Sequence, residues 1–283
     1  MVAYLALRIA EALLGVLPEP IMRRLGEFGG LVWYVVDPSR RRMARRHMER
    51  LGAPVPRRAA RQVFMHYGRY WAESFWVRPS RFPALRATMD VEGFEHLEKA
   101  RDDGRGVILA LPHLGNWEVS ALVAVDAKLP LVAVAERLAN RRITEWFLRQ
   151  RAMFDIEVVL TGAGPSSRRR LSEALAAGHS IALLCDRNLT GRGIEVRFFG
   201  ENTTLPAGPA SLALKTGAAL IPIGVYFGAG PVHRVVIEPP LPAGDAGDVT
   251  RLTQALAERF EVIIGRHPEQ WHLVQPNWPS DRR

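Results

Sequence analysis

From about residue 90 onward, the chain alternates short, continuous apolar runs with longer segments of helical period, and few folds satisfy that pattern. The apolar runs span 106–111, 131–135, 157–160, 180–185, 220–226 and 232–237, and helix-like stretches lie near 116–127, 140–153, 166–177, 208–217 and 248–265. A strand that is apolar at successive positions is buried on both faces, as in parallel sheets whose crossover helices cover both sides. The expected fold is therefore α/β, with a central, largely parallel sheet flanked by helices on both faces.

The first 36 residues are apolar but repeatedly interrupted: Arg8, Glu11, Pro18, Pro20, Arg23, Arg24 and Glu27 break every run. No stretch reaches the roughly 18–20 apolar residues that span a bilayer, and no basic residue precedes an apolar core as in a secretory signal. The period is helical. Leu5, Ile9, Leu13 and Val16 share one face, with Arg8, Glu11 and Gly15 opposite, and Arg40, Arg41, Arg42, Arg45, Arg46 and Arg50 follow. Two readings fit: an interfacial anchor on anionic lipid, or a terminal helix pair packed on the core with a solvated arginine face. Residues 57–77 form a further amphipathic helix rich in aromatics. The sequence has no internal repeat and no low-complexity linker. It divides into an amphipathic helical extension, residues 1–56, expected to associate with membrane, and one α/β domain, residues 57–283.

Charge narrows the partners. The net charge is +9, and of 38 basic residues only Lys99, Lys128 and Lys215 are lysines. Arginine-rich surfaces suit phosphate groups, which leaves nucleic acid, anionic lipid or a phosphorylated small molecule. No zinc-finger spacing, aromatic RNA-binding strand motif or helix-turn-helix is present, so nucleic acid is not expected as a partner. The single cysteine, Cys185, excludes an internal disulfide and a cysteine-based zinc site. His267 and His272 lack a third ligand at suitable spacing, and no metal is expected. Gly191-Arg-Gly193 and Gly228-Ala-Gly230 lack the full fingerprint of nucleotide loops.

Chemistry concentrates in Gly106-Val-Ile-Leu-Ala-Leu-Pro-His113-Leu-Gly-Asn-Trp-Glu118. A buried strand ends at Pro112, and a helix is expected to start near Asn116 as its N-cap. His113 then sits at the carboxyl end of a strand, where α/β sheets bind ligands. Glu118, in the first helical turn, is expected to reach back to one imidazole nitrogen. A carboxylate there fixes the tautomer and stabilises the imidazolium, making the histidine a general base. No nucleophile-elbow serine or cysteine is present, so direct attack by an activated hydroxyl on a thioester is the expected reaction. The alternative is a turn histidine capping a helix, with Glu118 a generic first-turn acid.

His113 and Glu118, with a strand before them and a helix expected after, resemble the H-x4-[DE] signature of the lysophospholipid acyltransferase superfamily. The resemblance narrows to the bacterial lipid A biosynthesis acyltransferases, in particular the branch that acylates phosphatidylinositol mannosides. It rests also on Leu183-Leu-Cys-Asp186-Arg187-Asn-Leu, Gly193-Ile-Glu-Val-Arg-Phe-Phe-Gly200, Pro206-Ala-Gly-Pro-Ala210 and His267-Pro-Glu-Gln-Trp271-His-Leu-Val-Gln-Pro276-Asn-Trp278. Gln275-Pro276-Asn277 stands where the lipid A enzymes usually carry a basic cluster, which argues against a lipid A acceptor. The resemblance implies an acyl-CoA co-substrate without a bound cofactor, and a glycolipid acceptor acylated on a mannose hydroxyl. It also implies peripheral attachment to the cytoplasmic face of the plasma membrane. It places Glu136, Arg151, Asp186 and Arg187 around the site: Glu136 or Asp186 bonded to sugar hydroxyls, Arg151 and Arg187 on a phosphate of lipid or coenzyme A. Independently, Glu136 and Asp186 each follow an apolar strand, which puts them at the same sheet edge as His113. Alternatives are a lysophospholipid or lipid A precursor as acceptor, or a non-catalytic lipid-binding protein of the same fold.

Overall fold

The structure is a computed structural model that describes residues 2–135, 139–160, 165–188, 191, 193–243 and 247–282. Helices α1 (Val2–Leu14), α2 (Glu19–Val36), α3 (Pro38–Arg50), α4 (Pro56–Trp76) and α5 (Phe82–Ala87) precede the sheet. The remainder runs β1 (Met89–Glu92), α6 (Phe94–Asp102), β2 (Val107–Leu111), α7 (Ala121–Asp126), β3 (Leu131–Ala135), α8 (Arg141–Ala152), β4 (Glu157–Leu160), α9 (Pro165–Ala176) and β5 (Ser180–Leu184). It continues with β6 (Ile194–Phe198), β7 (Glu201–Leu205), α10 (Gly208–Thr216), β8 (Ala219–Phe227), β9 (His233–Ile237) and α11 (Val249–Arg266).

Seven strands form one sheet in the order β1-β9-β8-β2-β5-β3-β4, parallel throughout except for the β8–β9 pair. The six expected strands are present within one or two residues of their limits. Strand β2 lies at the centre, and all five of its residues are buried. Its Ile108 and Ala110 enter the core on one face, with Leu175, Leu256 and Phe260 of α9 and α11. Val107, Leu109 and Leu111 enter the core on the other, with Leu97 of α6 and Leu122 of α7. Alternate side chains point to opposite faces, so a run of continuous apolarity is what a doubly covered central strand requires.

Two expectations are corrected. The β1 strand and the antiparallel hairpin β6–β7 were not apparent, because their alternating or polar sequences lack a continuous apolar run. The helix expected from 116 starts only at Ala121; residues 117–120 form turns. Asn116 therefore caps nothing, and its buried amide instead donates to Glu73 of α4 at 2.8 Å.

Helices α2 and α4 make the most extensive contact between any two elements. Glycines allow it. A Cβ on Gly30 would collide with the Phe64 carbonyl, and one on Gly68 with the carbonyl of Gly26. Small residues at such seams let two helix backbones approach closely. Gly29, one residue away, faces open space. Replacing Gly30 with Ala should therefore destabilise the protein by about 1–3 kcal/mol through overpacking. Gly29→Ala should be neutral or stabilising, by up to about 1 kcal/mol. Denaturant unfolding of the two variants checks both; equal effects would show that the seam is not close-packed.

Candidate active site

Strands β2 and β5 are parallel neighbours, in register from Val107 opposite Ser180 to Leu111 opposite Leu184. Extending that register by two residues sets His113 opposite Asp186, both at the carboxyl edge of the sheet. The His113 Nδ1 lies 2.6 Å from Asp186 Oδ1, and its backbone N–H donates to Oδ2 at 3.0 Å. Trp271 Nε1 donates to the same Oδ2 at 2.6 Å. Asp186 is fully buried. Burial by itself would raise its proton affinity; the facing imidazole and the N–H donors of His113 and Trp271 more than reverse this and bring the carboxyl down to about 2. The carboxylate stays ionised at neutral pH, so Nδ1 carries the hydrogen of the pair, and in the neutral imidazole the lone pair is on Nε2. The ring is partly exposed and stands edge-on to Trp117, with centroids 5.3 Å apart.

The hydrogen bond expected from Glu118 to the imidazole is not the one that forms. Because residues 117–120 are turns rather than a helix, Glu118 instead meets Arg151 near the end of α8, Oε1 to NH2 at 3.0 Å and Oε2 to Nε at 3.4 Å. Burial works against the Arg151 charge, and Glu118 outweighs it, holding the guanidinium above its ordinary range. The four residues thus form two pairs: His113 with Asp186, and Glu118 with Arg151. Arg187, next along the chain, is half-buried, its Nε has no hydrogen-bond partner among the described residues, and its charge acts on the phenol of Tyr67. Glu136 lies outside the described residues.

The turn after His113 is clamped by the C-terminal segment. Leu114 bridges Trp271, His272 N–H donates to the His113 carbonyl at 2.8 Å, and Gly115 N–H donates to the Gln270 carbonyl at 3.1 Å. Gly115 has φ +58°, and a side chain there would collide with the Val225 carbonyl. The His272 Nε2 bonds the Gly115 carbonyl at 2.9 Å and therefore carries the hydrogen; burial pushes this imidazole down to about 3, so it stays neutral. Behind the turn, Glu73 accepts from Asn116 and His233, and pairs with Arg69 and with Arg23 of α2, at 2.8–3.3 Å. Burial would raise Glu73; His233 and Arg69 overcome it and hold the carboxyl well below the usual range. Sequence reasoning gave Glu73, Asn116 and Trp271 no role at this site and assigned Asp186 to the sugar. Asn116 was expected as a helix N-cap and Trp271 stood in a motif of the resemblance, but apart from the strand-end position of Asp186 nothing in the linear pattern brings these residues to His113.

On the far side of the Trp117 ring that stands against His113, an apolar pocket of about 60 Å³ opens on the sheet face that carries Leu109 and Leu111; His113 itself does not line it. Trp117, Glu118 and Arg151 line it together with the half-buried ends of β3 and β5, Val134 and Leu184. From there it crosses β2 and ends against Ile223 of β8, Val235 of β9 and Leu97 of α6, none more than 5 % exposed. The exposure gradient gives it a direction, with its mouth at the carboxyl edge near His113 and its floor across the sheet.

The sequence profile of the bacterial lipid A biosynthesis acyltransferases matches residues 2–280. A phosphatidylinositol mannoside acyltransferase of Mycolicibacterium smegmatis is 39 % identical over 270 residues, covering 94 % of this chain and 88 % of that protein. A protein of the same name from Mycobacterium tuberculosis is 40 % identical over 221 residues, or 76 % of this chain and 68 % of its own length. The lipid A biosynthesis palmitoleoyltransferase of Escherichia coli is 24 % identical over 268 residues, covering 90 % of this chain and 84 % of that protein. The match runs through β2, β5 and the C-terminal clamp alike, and the chain belongs to the bacterial lipid A biosynthesis acyltransferase family of acyltransferases.

Proposed function

We propose that this acyltransferase moves a fatty acyl group from acyl-CoA to a mannose hydroxyl of a phosphatidylinositol mannoside at the surface of the cytoplasmic membrane. The observation that carries the reading is His113, its Nδ1 on the buried, ionised Asp186 and its Nε2 without a hydrogen bond among the described residues, with only the Trp117 ring between it and an apolar pocket. Nε2 takes the proton of the acceptor hydroxyl as the oxygen attacks the thioester carbon. The C–S bond then breaks, and the departing thiolate receives that proton from the imidazolium, so no acyl-enzyme forms. Asp186 keeps the imidazole in the reactive tautomer and stabilises it while charged. In this reading Glu118 acts through Arg151, holding its charge at the cavity mouth, and Arg187, with no carboxylate partner among the described residues, meets a phosphate. Identity near 40 % to enzymes named for phosphatidylinositol mannosides supports that acceptor over lipid A.

The N-terminal helices supply the membrane contact. Leu5, Ile9, Leu13, Ile21, Phe28 and Val32 all lie more than 40 % exposed on α1 and α2, an apolar face that monomers in water rarely display. Among the described residues no helix is long and apolar enough to cross a membrane. An interfacial position, with Arg24 and the arginines of α3 alongside, suits this face.

Three outcomes are expected. His113→Ala and Asp186→Asn should each lower acyl transfer by roughly 10²–10⁴-fold in a folded protein, and Glu118→Gln should cost clearly less than Asp186→Asn. If Glu118→Gln proved the more damaging, Asp186 would not be the partner of the base. In this reading the acyl chain takes the line of the pocket, whose apolar lining crosses β3, β5, β2, β8 and β9 and must part to admit it. Four inter-strand steps of about 4.8 Å make ~19 Å. At roughly 1.25 Å per carbon, the projection of a ~1.5 Å C–C bond, that length takes ~15 carbons. Leu97→Trp should therefore depress palmitoyl transfer at least tenfold while octanoyl transfer persists, as mass spectrometry of products from mixed acyl-CoA donors would reveal. Finally, Phe28→Glu with Val32→Glu should weaken sedimentation with anionic vesicles, and salt should weaken binding of the unmodified protein. Unchanged binding would place the contact elsewhere.

A further inference from the structure

We propose that Trp271 is a positioning residue that sets the proton affinity of the catalytic pair, through a hydrogen bond from its indole to Asp186. The inference rests on the reading of His113 as the base. The Asp186 carboxylate has one oxygen on the imidazole and the other on two N–H donors, the His113 backbone and Trp271 Nε1, the latter at 2.6 Å. Trp271 is completely buried and wedged among Phe198, Phe199, Trp278 and His47, with ring centroids 6.0–6.2 Å away. Its neighbours along the chain, Gln270 and His272, bond the turn that carries His113. One segment therefore fixes both the backbone of the base and the far oxygen of its acid.

The indole does more than fill space. A donor at 2.6 Å to a buried carboxylate disperses negative charge that would otherwise fall on the imidazole. With the donor present, the imidazolium is stabilised less, and the base stays free of protons to lower pH. Without it, Asp186 presents its full charge to His113, and the imidazole is protonated at higher pH. The donor also prevents the carboxylate from rotating about its Cβ–Cγ bond, which keeps Oδ1 on Nδ1. The other titratable groups near the pair, among the described residues, leave this unchanged. His272 is held neutral by burial, and the Cys185 thiol, buried beside Asp186, stays protonated. His66 on α4 is pushed down by its burial. Glu118 and Arg151 neutralise each other, and Arg187 follows Asp186 in the chain with its charge fixed. On the far side of Trp271, His47 is bonded to Asp281, which also pairs with Arg50.

The test uses the full-length protein with Trp271→Phe and, as control, Trp278→Phe. Trp278 is an equally buried indole, but it donates to the Phe198 carbonyl at 3.0 Å. Titration of the His113 ring nitrogens by ¹⁵N NMR should move upward by up to about one pH unit in Trp271→Phe, the tenfold equivalent of one hydrogen bond to a charged group. It should not move in Trp278→Phe. The acid limb of kcat/KM should shift the same way, with kcat reduced roughly tenfold. Because the NMR titration needs no acceptor, it reads the inference even if transfer to mannosides fails, and that failure alone would overturn the proposed substrate. Identical His113 titrations in the two variants would overturn the role of Trp271. Should Trp271→Phe not fold, benzothienylalanine at position 271, which replaces the N–H by sulfur within the same outline, must produce the same upward shift, and its absence would be equally decisive.

Discussion

The parallel pairing of β2 with β5 is the constraint on which the site depends. These strands are separated in the chain by β3 and β4, yet they lie side by side at the centre of the sheet. Their register brings an imidazole and a carboxylate to the same height one strand spacing apart. Continuous burial of β2 against a β5 whose Ser180 and Ile181 are buried pins that register, since a slip by one residue would turn each side chain to the opposite face. The hydrogen bond between His113 and Asp186 is thus a product of core packing several residues below it.

What holds the pair from behind is polar and buried, which in isolation would cost stability. The cost is offset because each group has several partners. Asp186 takes three N–H donors, and Glu73 gathers Arg23, Arg69, His233 and Asn116 from four separate elements. Removing one member would leave the others charged or unpaired in a medium that solvates them poorly. The arrangement connects α2 and α4, β9, the turn that carries His113 and the C-terminal segment. The glycine seam contributes by bringing α2 close enough for Arg23 to reach Glu73 at 3.3 Å.

Two apolar surfaces divide the remaining work. One is the cavity across the sheet, lined by residues that alternate with those of the opposite core. The other is the outward face of α1 and α2, where α2 buries its glycine-bearing side against α4 and leaves Leu25 and Phe28 to solvent. Both readings of the N-terminal helices raised by the sequence have a physical counterpart: the pair is packed on the core on one side and apolar on the other.

The order and period of the elements, the strands β2, β3, β4, β5, β8 and β9, and the position of His113 at a strand end were legible in the sequence. Local rules suffice for these, because continuous apolarity marks a doubly covered strand and a Pro-His turn marks its end. Strand β1 and the β6–β7 hairpin were not legible, since half-exposed strands carry too few apolar residues to stand out. The partner of the imidazole was misread for a related reason. Five residues of spacing made Glu118 the nearest acid along the chain, but the turns at 117–120 carry it to Arg151, and a residue 73 positions away fills the place. The sequence by itself determined which side chains could ionise and which segments had to be buried. Only the tertiary structure decided which acid faces which base, because strand adjacency is set by packing over the whole sheet and no local signal encodes it.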